Sequence, residues 1–165
     1  MKSITFFRLR SATRVASMRL PRVTAEYFGE DLPPGNAELR RLIALRYLDT
    51  GRIVAPEGVM ITTGALEAIF LCLKAVTRPG DTVAIETPTF YATLQMLEWM
   101  GLRAAEIGTD ARKGIDLDAL ENAFEARSIK ACVVIPTFQN PLGSCMPEGC
   151  KRECWRDWQS ATRFR

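Results

Sequence analysis

The stretch that most constrains this chain is Val59-Met60-Ile61-Thr62-Thr63-Gly64-Ala65-Leu66-Glu67-Ala68-Ile69-Phe70-Leu71-Cys72-Leu73. Its opening apolar run is too short for a helix and is flanked by prolines and glycines, so it reads as a buried strand. From Leu66 the pattern changes. Leu66, Ile69, Phe70 and Leu73 recur at i, i+3, i+4 and i+7, which predicts one apolar face of a helix. Thr63 is read as its N-cap, and Glu67 places negative charge in the first turn. A strand turning sharply into a helix leaves backbone N–H groups without helical acceptors, and the helix dipole makes that end attractive to anions, phosphate above all. Gly64 keeps a Cβ out of the way of such a ligand. A tight turn with nothing bound satisfies this stretch equally well, so the other segments must decide.

The same alternation recurs along the chain. Asn36 can cap a helix with the apolar face Leu39, Leu42, Ile43 and Tyr47, closed by Gly51. Pro79-Gly80-Asp81 is a strong turn signal, followed by a strand over 82–86. Helical spacing resumes through Tyr91, Leu94 and Leu97 until Gly101, and a short strand is expected over 102–107. Asp116 can cap a helix over 117–126 with Leu120 and Phe124 inward, and 131–135 reads as a continuous apolar strand. Strands alternating with helices over 37–136 predict an α/β fold of three layers, a mainly parallel sheet with helices on both faces.

Composition narrows the chemistry. The chain has no histidine, which excludes Ser-His-Asp, Cys-His and histidine-ligated metal sites. Cys72 and Cys132 lie in apolar patterns and are expected to be buried thiols, while Cys145, Cys150 and Cys154 lack Cys-x-x-Cys spacing. No metal is expected. No apolar run approaches the ~20 residues needed to cross a bilayer, and there is no convincing secretory h-region, so a reduced, cytoplasmic chain is the expectation. Residues 1–22 carry +6 without one acidic residue, and a net charge of +3 leaves −3 on the remaining 143 residues. Residues 1–26 are therefore read as a basic, poorly ordered leader.

Ligands of such sheets gather at the carboxyl ends of the strands. Three loops are expected there: 62–66, 87–91 and 136–143. A phosphate-bearing aromatic cofactor needs an anion cradle, a flat stacking surface and a hydrogen bond to a ring substituent. Thr63, Gly64 and Ala65 could supply the first, Phe90 or Tyr91 the second and Asn140 the third. Each also has a structural reading, as helix-start core for the aromatics and as a turn residue for Asn140.

In order and spacing, five segments carry a resemblance. They are Pro34-Gly35-Asn36-Ala37-Glu38-Leu39-Arg40-Arg41, Ile61-Thr62-Thr63-Gly64-Ala65-Leu66-Glu67-Ala68, the stretch from Pro79 to Tyr91, Gly114-Ile115-Asp116-Leu117-Asp118-Ala119-Leu120, and Phe138-Gln139-Asn140-Pro141-Leu142-Gly143. Together they resemble the large domain of fold-type I pyridoxal-phosphate aminotransferases, specifically the aminotransferase-like half of MocR-type GntR regulators. The resemblance covers about 27–148. It implies pyridoxal 5′-phosphate as cofactor, with Gly64, Ala65 and Leu66 at the phosphate. It implies Phe90 stacked on the pyridine ring, Tyr91 being the alternative, and Asn140 bonded to the phenolic oxygen. It matches Tyr27 to a tyrosine that reaches a phosphate in the partner subunit. An intact relative would be a homodimer acting on an amino acid or amine.

The resemblance also implies a Schiff-base lysine and a pyridine-paired aspartate beyond the Asn-Pro-x-Gly loop. No later lysine stands in a matching context, so no catalytic residue is assigned, and the chain alone is expected to be catalytically incompetent. Residues 149–165 show no apolar stripe on inspection and are read as an aberrant tail, consistent with a frameshift. The 26 residues before Tyr27 are too few for the regulators' winged helix-turn-helix domain, so no DNA contact is expected. A second reading is a cofactor-sensing effector module of such a regulator. A nucleotide-binding α/β domain is a third, opposed by the lack of Gly-x-Gly-x-x-Gly or a Walker lysine.

Overall fold

The strand over Thr82–Thr87 (β1) is buried at its four middle positions, and it has a neighbouring strand on each side. In a computed structural model that describes residues 32–126 and 128–163, the chain divides into two compact units, one ending at Ala68 and the other beginning at Ile69. The second unit holds the sheet. β1 pairs in parallel with Arg103–Asp110 (β2) on one side and with Ile129–Val133 (β4) on the other. The two-residue strand Gly114–Ile115 (β3) pairs antiparallel with the end of β2, giving the order β3-β2-β1-β4.

Alternation along β1 sends side chains to two separate cores. Val83 and Ile85 pack with Leu73 of helix Ala65–Val76 (α2) and with Leu97 of helix Tyr91–Trp99 (α3). Ala84 faces the other way, among Ala105, Ile107 and the inward residues Leu120 and Phe124 of helix Leu117–Ala126 (α4). The result is helices on both faces of a mainly parallel sheet, as the alternating pattern predicts. A register shift between Thr82 and Val83 sends Ile129 and Ala131 of β4 to opposite cores, although their spacing alone would put them on one face.

Local chemistry explains the ends of these elements. Asp116 Oδ1 accepts from the Ala119 N–H at 3.0 Å and starts α4. Gly101, at φ +68°, follows α3 and turns the chain into β2. The β2–β3 turn is held by Asp110, whose carboxylate accepts from the N–H groups of Arg112 and Lys113, each at 2.8 Å. Those bonds hold its carboxyl below the usual range.

Residues 148–163 form a helix of sixteen residues (α5). Cys150, Cys154 and Trp158 recur on one side of it and pack against the α4 core, with the Trp158 ring 5.6 Å from that of Phe124. The stripe that was not seen in the sequence exists; it is narrow and built partly from cysteines.

The first unit is smaller. Helix Ala37–Leu48 (α1) begins at Asn36, whose side chain accepts from the Leu39 N–H at 3.0 Å. Arg40 ties the helix start to a short 3₁₀ turn at Pro56–Gly58, bonding the Gly35 and Pro56 carbonyls at 3.1 and 3.2 Å. The expected inward face is only partly covered: Ile43 and Tyr47 are half-buried, while Leu39 and Leu42 are exposed. The strand expected at Val59–Ile61 is not formed. The backbone there runs extended, but its ladder bond is a single one, from the Ile61 N–H to the Pro34 carbonyl at 2.9 Å, and Met60 is 60% exposed. A strand requires a neighbour along its length, and the described residues of this unit supply only that contact.

Candidate functional site

The turn over 62–64 belongs to the first unit and delivers the chain into α2. The first helical acceptor is the Gly64 carbonyl, which takes the Ala68 N–H at 3.1 Å. The N–H groups of Ala65, Leu66 and Glu67 therefore have no acceptor within the helix and lie at the positive end of the dipole. Gly64 is not at positive φ, and a Cβ there would meet nothing within 4 Å. Space above the turn is open, as a phosphate cradle requires, and neither backbone strain nor a neighbouring atom demands glycine at this position.

Thr63 does not act as the N-cap. Its N–H and its hydroxyl both donate to Glu67 Oε2, at 2.6 and 2.8 Å. The carboxylate reaches back as in a capping box, but to the residue before the cap position. Those two bonds hold the Glu67 carboxyl below its usual range. Thr62 adds a bond from its hydroxyl to the Gly64 carbonyl at 3.0 Å.

The second unit contributes two loops, both at carboxyl ends of parallel strands. Chain leaving β1 passes through Pro88 and Thr89 to Phe90, which sits in extended backbone immediately before α3. Phe90 is half-buried, and its ring lies 4.7 Å from that of Tyr91 at 60°. Tyr91 is 66% exposed despite that ring contact. Chain leaving β4 makes a longer excursion, closed by the Thr137–Cys145 bridge and by a bond from the Met146 N–H to the Pro136 carbonyl at 2.9 Å. Asn140 lies exposed on it, and among the described residues its side-chain amide has no hydrogen-bond partner. A half-buried ring and an uncommitted amide suit an aromatic ligand that carries an oxygen substituent.

The structure thus brings the Phe90 and Asn140 loops together within one unit, while Gly64, Ala65 and Leu66 are described in the other. Tyr27 lies outside the described residues, as does the basic leader. Two residues that the sequence reading passed over hold the second-unit loops. Gln139, 2% exposed, donates from Nε2 to the Pro88 carbonyl at 2.7 Å, which joins the two loops. Glu86, 3% exposed at the end of β1, accepts the Ile135 N–H at 2.7 Å. Burial pushes the Glu86 carboxyl up to about 7, against a smaller lowering by the Ile135 bond. Burial also drives the Cys132 thiol far above its usual range, with Cys154 and Glu86 adding to the effect. Among the described residues no cluster of carboxylates and thiols could hold a metal, and no helix is long and apolar enough to cross a membrane.

Comparison with known proteins agrees with this fold. The model for aminotransferase class I and II matches residues 27–150. The HTH-type transcriptional regulator YdcR of Escherichia coli is 47% identical over 137 residues, which are 83% of this chain and 29% of that protein. YjiR, a second HTH-type transcriptional regulator of E. coli, is 41% identical over 143 residues, 87% of this chain and 30% of the relative. Among solved structures, α-aminoadipate aminotransferase LysN of Thermus thermophilus, complexed with N-(5′-phosphopyridoxyl)-L-leucine, superimposes with a TM-score of 0.72 at 28% identity. That match covers 81% of this chain and 33% of LysN. The chain spans about a third of the length of the relatives it matches. With the family's model covering most of its length, and the strand ends, turns and helices in place, this chain belongs to the aminotransferase class I and II family as part of an aminotransferase-like domain.

Proposed function

We propose that this chain forms part of a pyridoxal 5′-phosphate site. The observation that carries the reading is the start of α2: three N–H groups without a helical acceptor, with open space over Gly64. Gly64, Ala65 and Leu66 hold the phosphate, Gly64 by leaving its approach open and Ala65 and Leu66 through their backbone N–H groups. Phe90 takes the face of the pyridine ring, and Asn140 donates to its phenolic oxygen. Bound there, the cofactor would supply an electron sink for amino-group chemistry. The parent protein acts on an amino acid or amine, and it works as a homodimer in which Tyr27 reaches the partner's cofactor phosphate.

The two HTH-type relatives favour a second reading of the whole protein, in which the domain senses the cofactor for a transcriptional regulator. Both readings use the same residues at the cofactor.

The test is equilibrium binding of pyridoxal 5′-phosphate, pyridoxal and inorganic phosphate to the chain. Saturable binding of the first, displaced by the third and much weaker for the second, is expected. Gly64→Val should weaken both phosphate-bearing ligands, because a branched side chain fills the open space. Asn140→Ala should alter the bound cofactor's absorption more than its occupancy, since it removes one hydrogen bond worth about 0.5–1.5 kcal/mol. Folded variants with unchanged affinity and spectrum would refute the assignment.

A further inference from the structure

We propose that Gln139 is a positioning residue of the cofactor site, fastening the Asn140 loop to the Phe90 loop and so fixing where the ring end is met. The inference rests on the pyridoxal phosphate reading above.

Glutamine is ordinarily a surface residue, and burying its amide is costly unless both ends are bonded. Here both are. Nε2 donates to the Pro88 carbonyl at 2.7 Å, and Oε1 accepts from the Leu142 N–H at 2.9 Å. The main chain adds two more bonds, from the Gln139 N–H to the Ser144 carbonyl at 2.9 Å and from the Gly143 N–H to the Gln139 carbonyl at 2.5 Å. Three of the four bonds shape its own loop. The fourth crosses to the exit of β1, two residues before Phe90.

Packing alone does not call for this residue. Methionine has a similar length and would fill the same volume, but it would leave the Pro88 carbonyl and the Leu142 N–H without these partners. What glutamine adds is direction. A second tie, from the Ile135 N–H to Glu86, holds the root of the same loop. Anchored at its root and beside its tip, the loop presents the uncommitted Asn140 amide on a fixed base, and a directed hydrogen bond to a ligand depends on such support. Gln139 acts through Asn140 and Phe90 and does not itself touch the cofactor. Its loss should therefore weaken recognition of the ring and spare recognition of the phosphate.

Two substitutions separate this role from plain stabilisation. Gln139→Met removes both side-chain bonds at nearly constant volume. Gln139→Glu, when protonated, restores them, its O–H facing the Pro88 carbonyl and its C=O facing the Leu142 N–H; when ionised it sets one negative oxygen against another. The full chain is titrated with pyridoxal 5′-phosphate and with inorganic phosphate, and amide exchange at Leu142 is followed without ligand. Gln139→Met should lose about tenfold in cofactor affinity, shift the bound cofactor's absorption and exchange faster at Leu142, with phosphate affinity held within about twofold. The ratio of Gln139→Glu to wild-type affinity should be near one in mild acid and fall about tenfold as the carboxyl ionises, while the Gln139→Met ratio stays flat. Equal losses for both ligands, or no acid rescue, would mean that Gln139 only stabilises the fold. An unchanged Gln139→Met overturns the proposal while leaving the cofactor reading intact. A wild-type chain that binds no cofactor overturns both.

Discussion

Gly35 holds a φ of +96°, and a Cβ placed on it would stand 2.6 Å from the Cβ of Ile61. Left-handed backbone and a clash both penalise a side chain there, so Gly35→Ala should destabilise by about 2 kcal/mol or more. Gly58→Ala, with ordinary φ and nothing within 4 Å, should be close to neutral. Paired denaturant midpoints check the contrast. Glu86 gives a prediction of a different kind. Its carboxyl titrates near 7 when folded, above the ordinary value of 4.5. Between those values the folded chain binds more protons than the unfolded one, so stability is full in acid and declines as pH rises towards and through 7. The decline amounts to at most about 3 kcal/mol. Glu86→Gln, neutral and still able to accept the Ile135 N–H, should flatten the slope between pH 5 and 8; a slope that persists would assign it to other groups. Neither Glu86 nor Gln139 was legible as a buried tie in the sequence. Polar residues at a strand end and beside a turn read as exposed, and their burial comes from a loop that returns from a different strand. Asn140, Phe90 and Gly64 stood out as candidates because their neighbours form ordered motifs.

Elements were read with uneven success, for physical reasons. The starts of α1 and α4 followed from Asn36 and Asp116, whose side chains accept from N–H groups three residues on. Replacing Asn36 with Ala should cost about 1 kcal/mol, measurable as a lower thermal midpoint. β4 begins and ends two residues earlier than its apolar run, because pairing with β1 sets its limits. β3 escaped notice because two residues carry no periodicity. The extended 59–61 segment was read as a strand from composition alone, and composition does not supply a neighbour. Helix α5 was missed for the opposite reason: cysteines and one tryptophan make a weak stripe among many charges. Its docking is testable. Trp158→Ala should remove the contact with Phe124, lower stability by about 2 kcal/mol and raise exchange through α5 before the sheet opens.

At the scale of the molecule, a good deal of apolar surface faces outward. Leu39, Leu42, Leu45 and Leu48 of α1 are each more than two-fifths exposed, and Trp99 at the end of α3 is 81% exposed. β4 is paired on one side among the described residues, so its other edge offers unpaired backbone groups. Exposed apolar area of this kind drives association. Light scattering should show mass rising with protein concentration, and Leu42→Lys with Trp99→Lys should reduce it; a monodisperse monomer at all concentrations would count against this expectation.

The central place of β1 also has a consequence in time. Among the described residues it is the first strand in chain order and the one to which both β2 and β4 attach, so the parallel part of the sheet cannot form without it. Its pairing with β2 closes over the single helix α3, whereas its pairing with β4 must enclose β2, β3 and α4 as well. The shorter closure loses less chain entropy, so β1, α3 and β2 should condense first and β4 should dock onto a surface already formed. Val83→Ala should then slow refolding, while a destabilising change at Ala131 should mainly hasten unfolding.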